Sequence, residues 1–216
     1  MDTMLIFDLD GTLWNSSQQV ADSWNIILNE YDPSLPPFTA KDIYSVMGRT
    51  MEEISDALLS GRDIADRRAL FRRMEEYEVE YISRQGGILY PDVSETIRRL
   101  HGSGYAMSVV SNCQRGYVNS FFISMDMGQY FCDSEEWGNT GRLKADNIRL
   151  VMERNHVEKA VYIGDTVGDE ASAHEAGIPF IHAAYGFGTA VCPEAVIGSF
   201  KELPDAAARV IKDHFR

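Results

Sequence analysis

Four short apolar runs, each stopped abruptly by polar or glycine residues, most restrict how this 216-residue chain can fold. Met4 to Phe7 runs into Asp8-Leu9-Asp10-Gly11-Thr12, and Tyr105 to Val110 runs into Ser111-Asn112. Ala160 to Ile163 is followed by Gly164-Asp165, and Pro179 to His182 by a loop holding Tyr185-Gly186-Phe187-Gly188. Runs of this length suit parallel strands buried on both faces. Helical patterns lie between them. Pro91 to His101 carries Val93, Ile97 and Leu100 at helical spacing, with Gly102 and Gly104 as a stop. Lys144 to Asn155, Asp169 to Ala176 and Pro204 to Phe215 also read as helices. Strand alternating with helix predicts a three-layer, Rossmann-like α/β core with a parallel sheet and right-handed crossovers.

Residues 15–85 read differently, with no convincing strand. Ser16 is placed to cap a helix bearing Val20, Trp24, Ile27 and Leu28 on one side. Thr50 and Glu53 are spaced as a capping box ahead of Ile54, Ala57 and Leu58. A long charged helix is predicted from Ile64 to Ile82, broken by Gly86-Gly87. The chain therefore divides into a core, 1–14 and 86–216, and an inserted all-helical cap, 15–85.

Open parallel sheets bind ligands beyond the carboxyl ends of their strands. The polar residues at those ends converge there: Asp8 and Asp10, Ser111 and Asn112, Asp165 and Asp169, with Lys144 opening a nearby helix. Several carboxylates in one crevice resist ionising together, and a divalent cation resolves the conflict. Magnesium favours hard oxygen ligands and keeps some waters. The Asp8 and Asp165 side chains and the Asp10 carbonyl suit it, while Asp169 binds it directly or holds one of its waters.

The net charge of −13 sharpens this reading. A surface this acidic repels nucleic-acid backbones and anionic lipid, so neither is an expected partner. A phosphate ligand would need local cations, which magnesium and Lys144 supply, with the Ser111 hydroxyl beside them. Asp8 is then placed to attack phosphorus and form an acyl phosphate. Asp10 can protonate the leaving alkoxide and later take a proton from water. Gly11 permits the tight turn and Thr12 holds the loop through its hydroxyl, which puts both with the phosphate-binding residues.

The three cysteines, Cys113, Cys132 and Cys192, form no Cys-x-x-Cys pair, so neither a disulfide framework nor zinc is expected. No apolar run approaches the ~18 residues of a bilayer span. A cytoplasmic protein acting on a small phosphorylated metabolite is the expectation.

The Asp8-Leu9-Asp10-Gly11-Thr12-Leu13 stretch resembles the first motif of the haloacid dehalogenase-like hydrolase superfamily. Val109-Val110-Ser111-Asn112 resembles its second motif, Lys144 its third, and Gly164-Asp165-Thr166-Val167-Gly168-Asp169 its fourth. The helical insert after the first motif is similar to the cap of the phosphoglycolate phosphatase-like branch. The resemblance implies a magnesium-dependent phosphatase with Asp8 as nucleophile and Asp10 as acid/base. Ser111, Asn112 and Lys144 would hold the phosphoryl group, and Asp8, Asp10, Asp165 and Asp169 would serve the metal. Ala145-Asp146-Asn147 replaces the proline-containing segment that usually follows the motif-three lysine, which leaves Arg142 as the alternative.

Arg49, after Gly48 in a cap loop, is a candidate for substrate contact; the plainer reading is a solvated arginine. The alternating charges from Arg62 to Glu80 read as a solvated helix face. Cys113 reads as packing, and Trp24, Phe71, Tyr77 and Tyr81 as cap core. A sugar phosphomutase is disfavoured because the cap holds no histidine and Val20 stands ten residues after Asp10. A Schiff-base phosphonate hydrolase is disfavoured because Lys41 is the only lysine of the insert. Dehalogenation would not need Asp10, and a non-catalytic phosphate-binding protein would be expected to lose Asp8 or Asp10.

Overall fold

The computed structural model describes residues 3–215. Six strands form one parallel sheet: β1 (Thr3–Phe7), β4 (Ala106–Ser111), β5 (Asp133–Glu136), β6 (Lys159–Gly164), β7 (Phe180–Ala183) and β8 (Ala195–Ile197). Their spatial order is β5-β4-β1-β6-β7-β8, with β1 and β6 at the centre. Alternation along β1 sends Met4 and Ile6 to one face and Leu5 and Phe7 to the other. The first face packs with Ile148 and Val151 of α8 (Lys144–Arg154) and Ala173 of α9 (Val167–Ala176). The second meets Val93, Ile97 and Leu100 of α5 (Val93–Gly102) and Val210 of α10 (Leu203–His214). Helices on both faces of the sheet make the three layers.

Two of these strands are absent from the apolar runs. Asp133–Glu136 reads Asp-Ser-Glu-Glu, and Ala195–Ile197 is only three residues long. Both lie at sheet edges, where less burial asks for less apolar sequence. The acids of β5 are used instead: Asp133 and Glu135 pair with Arg154.

The helical insert comprises α1 (Ser17–Tyr31), α2 (Ala40–Tyr44), α3 (Met51–Leu59) and α4 (Arg67–Gln85). A short antiparallel pair, β2 (Trp14–Asn15) and β3 (Ile88–Leu89), ties its entry to its exit. Val20, Trp24, Ile27 and Leu28 of α1 are all buried, as their spacing predicts. Thr50 and Glu53 form the expected capping box. The long helix starts later than predicted, because the Asp66 side chain accepts from the Ala69 amide and caps it there. Its far end packs on α6 (Tyr117–Met125): the Ser83 and Ser120 hydroxyls meet at 2.9 Å.

Two local expectations are corrected. Ser16 precedes α1 but makes no capping bond; its hydroxyl donates to Asp10 instead, and Asn15 accepts from the Ser17 amide. Glu78, within the supposedly solvated charge run, is buried. It falls on the stripe of Phe71, Met74 and Ile82, where helical geometry turns α4 inward. Among the described residues, no helix is long and apolar enough to cross a membrane.

Candidate active site

The β1 strand delivers Asp8 and Asp10 to the carboxyl edge of the sheet. The Asp8 amide still bonds to the Ile163 carbonyl at 2.8 Å, so the ladder holds its backbone. The chain then turns back on itself: the Thr12, Leu13 and Trp14 amides all reach the Leu9 carbonyl. Gly11 sits at φ 89°, and a Cβ there would lie 2.3 Å from Asp165 Oδ2. Only glycine satisfies both the torsion and the close approach.

Lys144, first residue of α8, joins two carboxylates. Its Nζ lies 2.7 Å from Asp8 Oδ1 and 2.6 Å from Asp169 Oδ1, with all three side chains buried. Arg142 is exposed and takes no part in the cluster. Asp169 Oδ2 accepts the amide and hydroxyl of Thr166 at 3.0 and 2.7 Å, the capping box of α9. Asp165 Oδ2 accepts the Phe187 and Gly188 amides at 2.7 and 3.2 Å. The loop carrying those amides can approach because Gly186 lacks a Cβ, which would stand 2.4 Å from the Gly11 carbonyl.

This packing leaves charge in conflict. Burial holds the Asp8 carboxyl well above the usual range; Lys144 pulls against it, and Asp169 and Asp165 add to it. Asp165 is pushed up to about 7 by burial and by Asp169. Burial works against the Lys144 ammonium, but Asp169 and Asp8 outweigh it and raise its pKa well above normal. The three carboxylates offer oxygens within 4.8 Å of one another. Asp8 Oδ2 has no hydrogen bond among the described residues, and Asp165 Oδ1 has only the distant Thr12 hydroxyl at 3.5 Å. These hard, under-used oxygens fit a magnesium ion. Asp169 fits less directly, since both its oxygens are engaged.

Asp10 is held by groups the sequence reading did not single out for it. The Ser16 hydroxyl donates to Oδ1 at 2.6 Å; the Tyr117 hydroxyl lies 3.1 Å from the same oxygen and 2.7 Å from Ser16 Oγ. Burial raises the Asp10 carboxyl to about 6, and these bonds restrain the rise. Tyr117 opens α6, whose start Glu136 pins by accepting the Gly116 amide and the Val118 amide, the latter at 2.9 Å. Gly116 before an apolar pattern was the available sign of a helix start there.

A cavity of about 40 Å³ lies between these groups and the insert. Asp8, Asp10, Ser111 and Asn112 line it from the core, and Arg49 from α2–α3 loop residues, its side chain exposed. The Asn112 amide donates to the Gly48 carbonyl at 3.0 Å, tying insert to core. Gly11 and Thr12 do not line the cavity. Their amides are spent inside the turn, on the Trp14 and Leu9 carbonyls. Cys113 is buried, its Sγ 3.7 Å from Glu136, and burial pushes its thiol up. Glu78 and Gln114, also on the lining, went unnoticed in the sequence; an acid on an apolar helical stripe was the sign for Glu78.

An open parallel sheet with acids and a lysine converging at its carboxyl edge defines a hydrolase built for an anionic group. The chain belongs to the haloacid dehalogenase-like hydrolase family, whose model matches residues 5–183. It is 24% identical to a phosphoglycolate phosphatase of Salmonella typhimurium, over 91% of this chain and 89% of that protein. It is 28% identical to one of Pseudomonas putida, over 85% and 70%. Among solved structures, a haloacid dehalogenase-like family hydrolase from Streptococcus pneumoniae superposes with a TM-score of 0.77 at 24% identity, covering 94% of this chain and 97% of that one. CbbY from Rhodobacter sphaeroides, solved with phosphate, gives 0.74 at 18%, covering 94% and 96%.

Proposed function

We propose that the protein is a magnesium-dependent phosphatase that hydrolyses a small phosphomonoester through an aspartyl-phosphate on Asp8. The observation that carries this reading is the asymmetry of the Asp8 carboxylate. Lys144 holds Oδ1 at 2.7 Å, while Oδ2 is free of hydrogen bonds among the described residues and Asp8 lines the cavity beside Asp10. The phosphatase names of the relatives point the same way.

One oxygen of the Asp8 carboxylate attacks phosphorus while the other stays with the cations of the site, forming the acyl phosphate as the ester oxygen leaves. Asp10, its Oδ1 fixed by Ser16 and Tyr117, turns its other oxygen to the departing alkoxide and gives it a proton. It then takes a proton from water, which attacks phosphorus and regenerates the Asp8 carboxylate. Lys144 keeps Asp8 oriented and, with Ser111 and Asn112, faces the phosphoryl oxygens. Magnesium, held by Asp8 and Asp165 with Asp169 behind them, supplies charge neutralisation when bound. Residues 15–85 act as a cap: they wall the cavity opposite Asp8 and Asp10, so substrate enters as the insert lifts and is enclosed as it settles back.

The deciding experiment is phosphate release from a panel of small phosphomonoesters, with magnesium and with excess chelator. Magnesium-dependent turnover that chelator abolishes is the expected result. Equal turnover in chelator, or none from any ester, would sink the proposal.

A further inference from the structure

The wall of the cavity facing the carboxylates is mostly apolar, built from Val20 and Trp24 of α1 and Met51 and Ile54 of α3. Two polar side chains interrupt it, Glu78 of α4 and Gln114 of the loop after β4. Glu78 is 3% exposed. The Trp24 indole N–H donates to its Oε2, and no cation pairs with it among the described residues. An unpaired buried carboxylate is costly, so burial favours the neutral acid and lifts the group to about 8, with hydrogen bonds from Gln114 and Trp24 pulling it back. Gln114 is 6% exposed and stands beside Glu78, whose carboxyl it restrains; its Nε2 makes no well-formed hydrogen bond among the described residues. Buried amides are rarely left so, and a ligand atom in the cavity would complete it.

The wall thus offers a carboxylic acid hydroxyl and an amide N–H, both donors without charge. The other side of the cavity already holds Asp8 and Asp10. Arg49 is the one cation on the described lining. It is exposed and follows Gly48, whose carbonyl is bonded to Asn112 on the phosphoryl side. An anionic leaving group lying against Glu78 would meet acids and no buried cation.

We propose that Glu78 and Gln114 form the leaving-group subsite, selecting the phosphate ester of a small uncharged alcohol that carries a second oxygen over one ending in a carboxylate. The inference rests on the phosphatase reading and deepens it. The phosphoryl group sits against Asp8, the carbon chain against Trp24 and Met51, and the second oxygen against Glu78 and Gln114.

The test compares kcat/KM, with magnesium and the full chain, for 2-hydroxyethyl phosphate, ethyl phosphate and 2-phosphoglycolate, with p-nitrophenyl phosphate reporting the chemistry alone. The hydroxyethyl ester should exceed each of the other two small esters by about tenfold or more, because they leave the donors unpaired or bring a charge. Glu78→Leu and Gln114→Leu should each drive the hydroxyethyl-to-ethyl ratio toward one, and Glu78→Gln, which keeps a donor and the shape, should retain most of it. Should Glu78→Leu fail to fold, the Gln114→Leu ratio decides. Turnover of p-nitrophenyl phosphate with 2-phosphoglycolate favoured, or a ratio unmoved in the leucine variants, overturns the subsite alone. No turnover of any ester removes the phosphatase reading and the subsite with it.

Discussion

The two walls of the cavity solve opposite electrostatic problems. On the core side Asp8 lines the cavity, and behind it Asp165, Asp169 and Lys144 form a buried cluster in which four of the six carboxylate oxygens have a fixed partner: Lys144, Thr166, or the amides of Phe187 and Gly188. The insert wall is apolar, and burial favours the neutral form of its acid, Glu78. Charge concentrated on one side and excluded from the other keeps the reacting end of a substrate distinct from its leaving group. A low-dielectric wall opposite the carboxylates also strengthens every interaction they make.

Breaking the core wall should have the largest effect. Asp8→Asn removes the attacking oxygen while preserving volume, and turnover is expected to fall by about 10⁴-fold or more. Circular dichroism should show the fold intact, since the buried carboxyl it replaces is one that resists ionising. Normal phosphate release from this variant would remove Asp8 as the nucleophile. Asp10→Asn comes next, with a loss of about 10²–10⁴ in kcat. The loss should be steeper for an alkyl ester than for p-nitrophenyl phosphate, whose leaving group needs little protonation; an equal loss for both would argue against Asp10 as the acid.

The insert wall is tested through stability and pH. Folded Glu78 keeps its proton up to about 8, against an ordinary value of 4.5. Between those values the unfolded chain has lost the proton and the folded chain has not, so this group's support for the fold declines as pH rises through that window. Glu78→Gln removes the slope. Relative to the unsubstituted chain it should gain a few kcal/mol between pH 5 and pH 8, read from denaturant melts. A constant difference across that range would mean that Glu78 is ionised in the fold. The smallest expected effect is that of Tyr117→Phe. It removes one hydroxyl from the Ser16–Asp10 cluster, costing about 1 kcal/mol of stability and a several-fold drop in kcat with little change in KM. A change confined to KM would place Tyr117 in substrate binding instead.

What could be read directly was whatever depends on local pattern. The buried strands show as apolar runs, the insert as a stretch of helical spacing, and Asp8, Asp10 and Asp165 as acids just past strand ends in an open parallel sheet, with Asp169 in the first turn of the helix that follows. Lys144 could be named as a helix start, but Arg142 remained an alternative until the tertiary fold turned one side chain inward and left the other exposed. Edge strands such as Asp133–Glu136 escaped because their pairing comes from a neighbour's backbone and their acids from a bond to Arg154. Ser16 looked like a helix cap because its partner Asp10 lies six residues back, across a turn. Glu78 looked solvated because charge is the better guide to exposure until a helix face is pressed onto another surface. Periodicity and strand-end position are local, so the elements and the chemistry arriving at one edge of the sheet are legible along the chain. Which oxygens are spent, which are free and which acid burial holds toward its neutral form depend on distance and burial between residues far apart in the chain, and emerge only on folding.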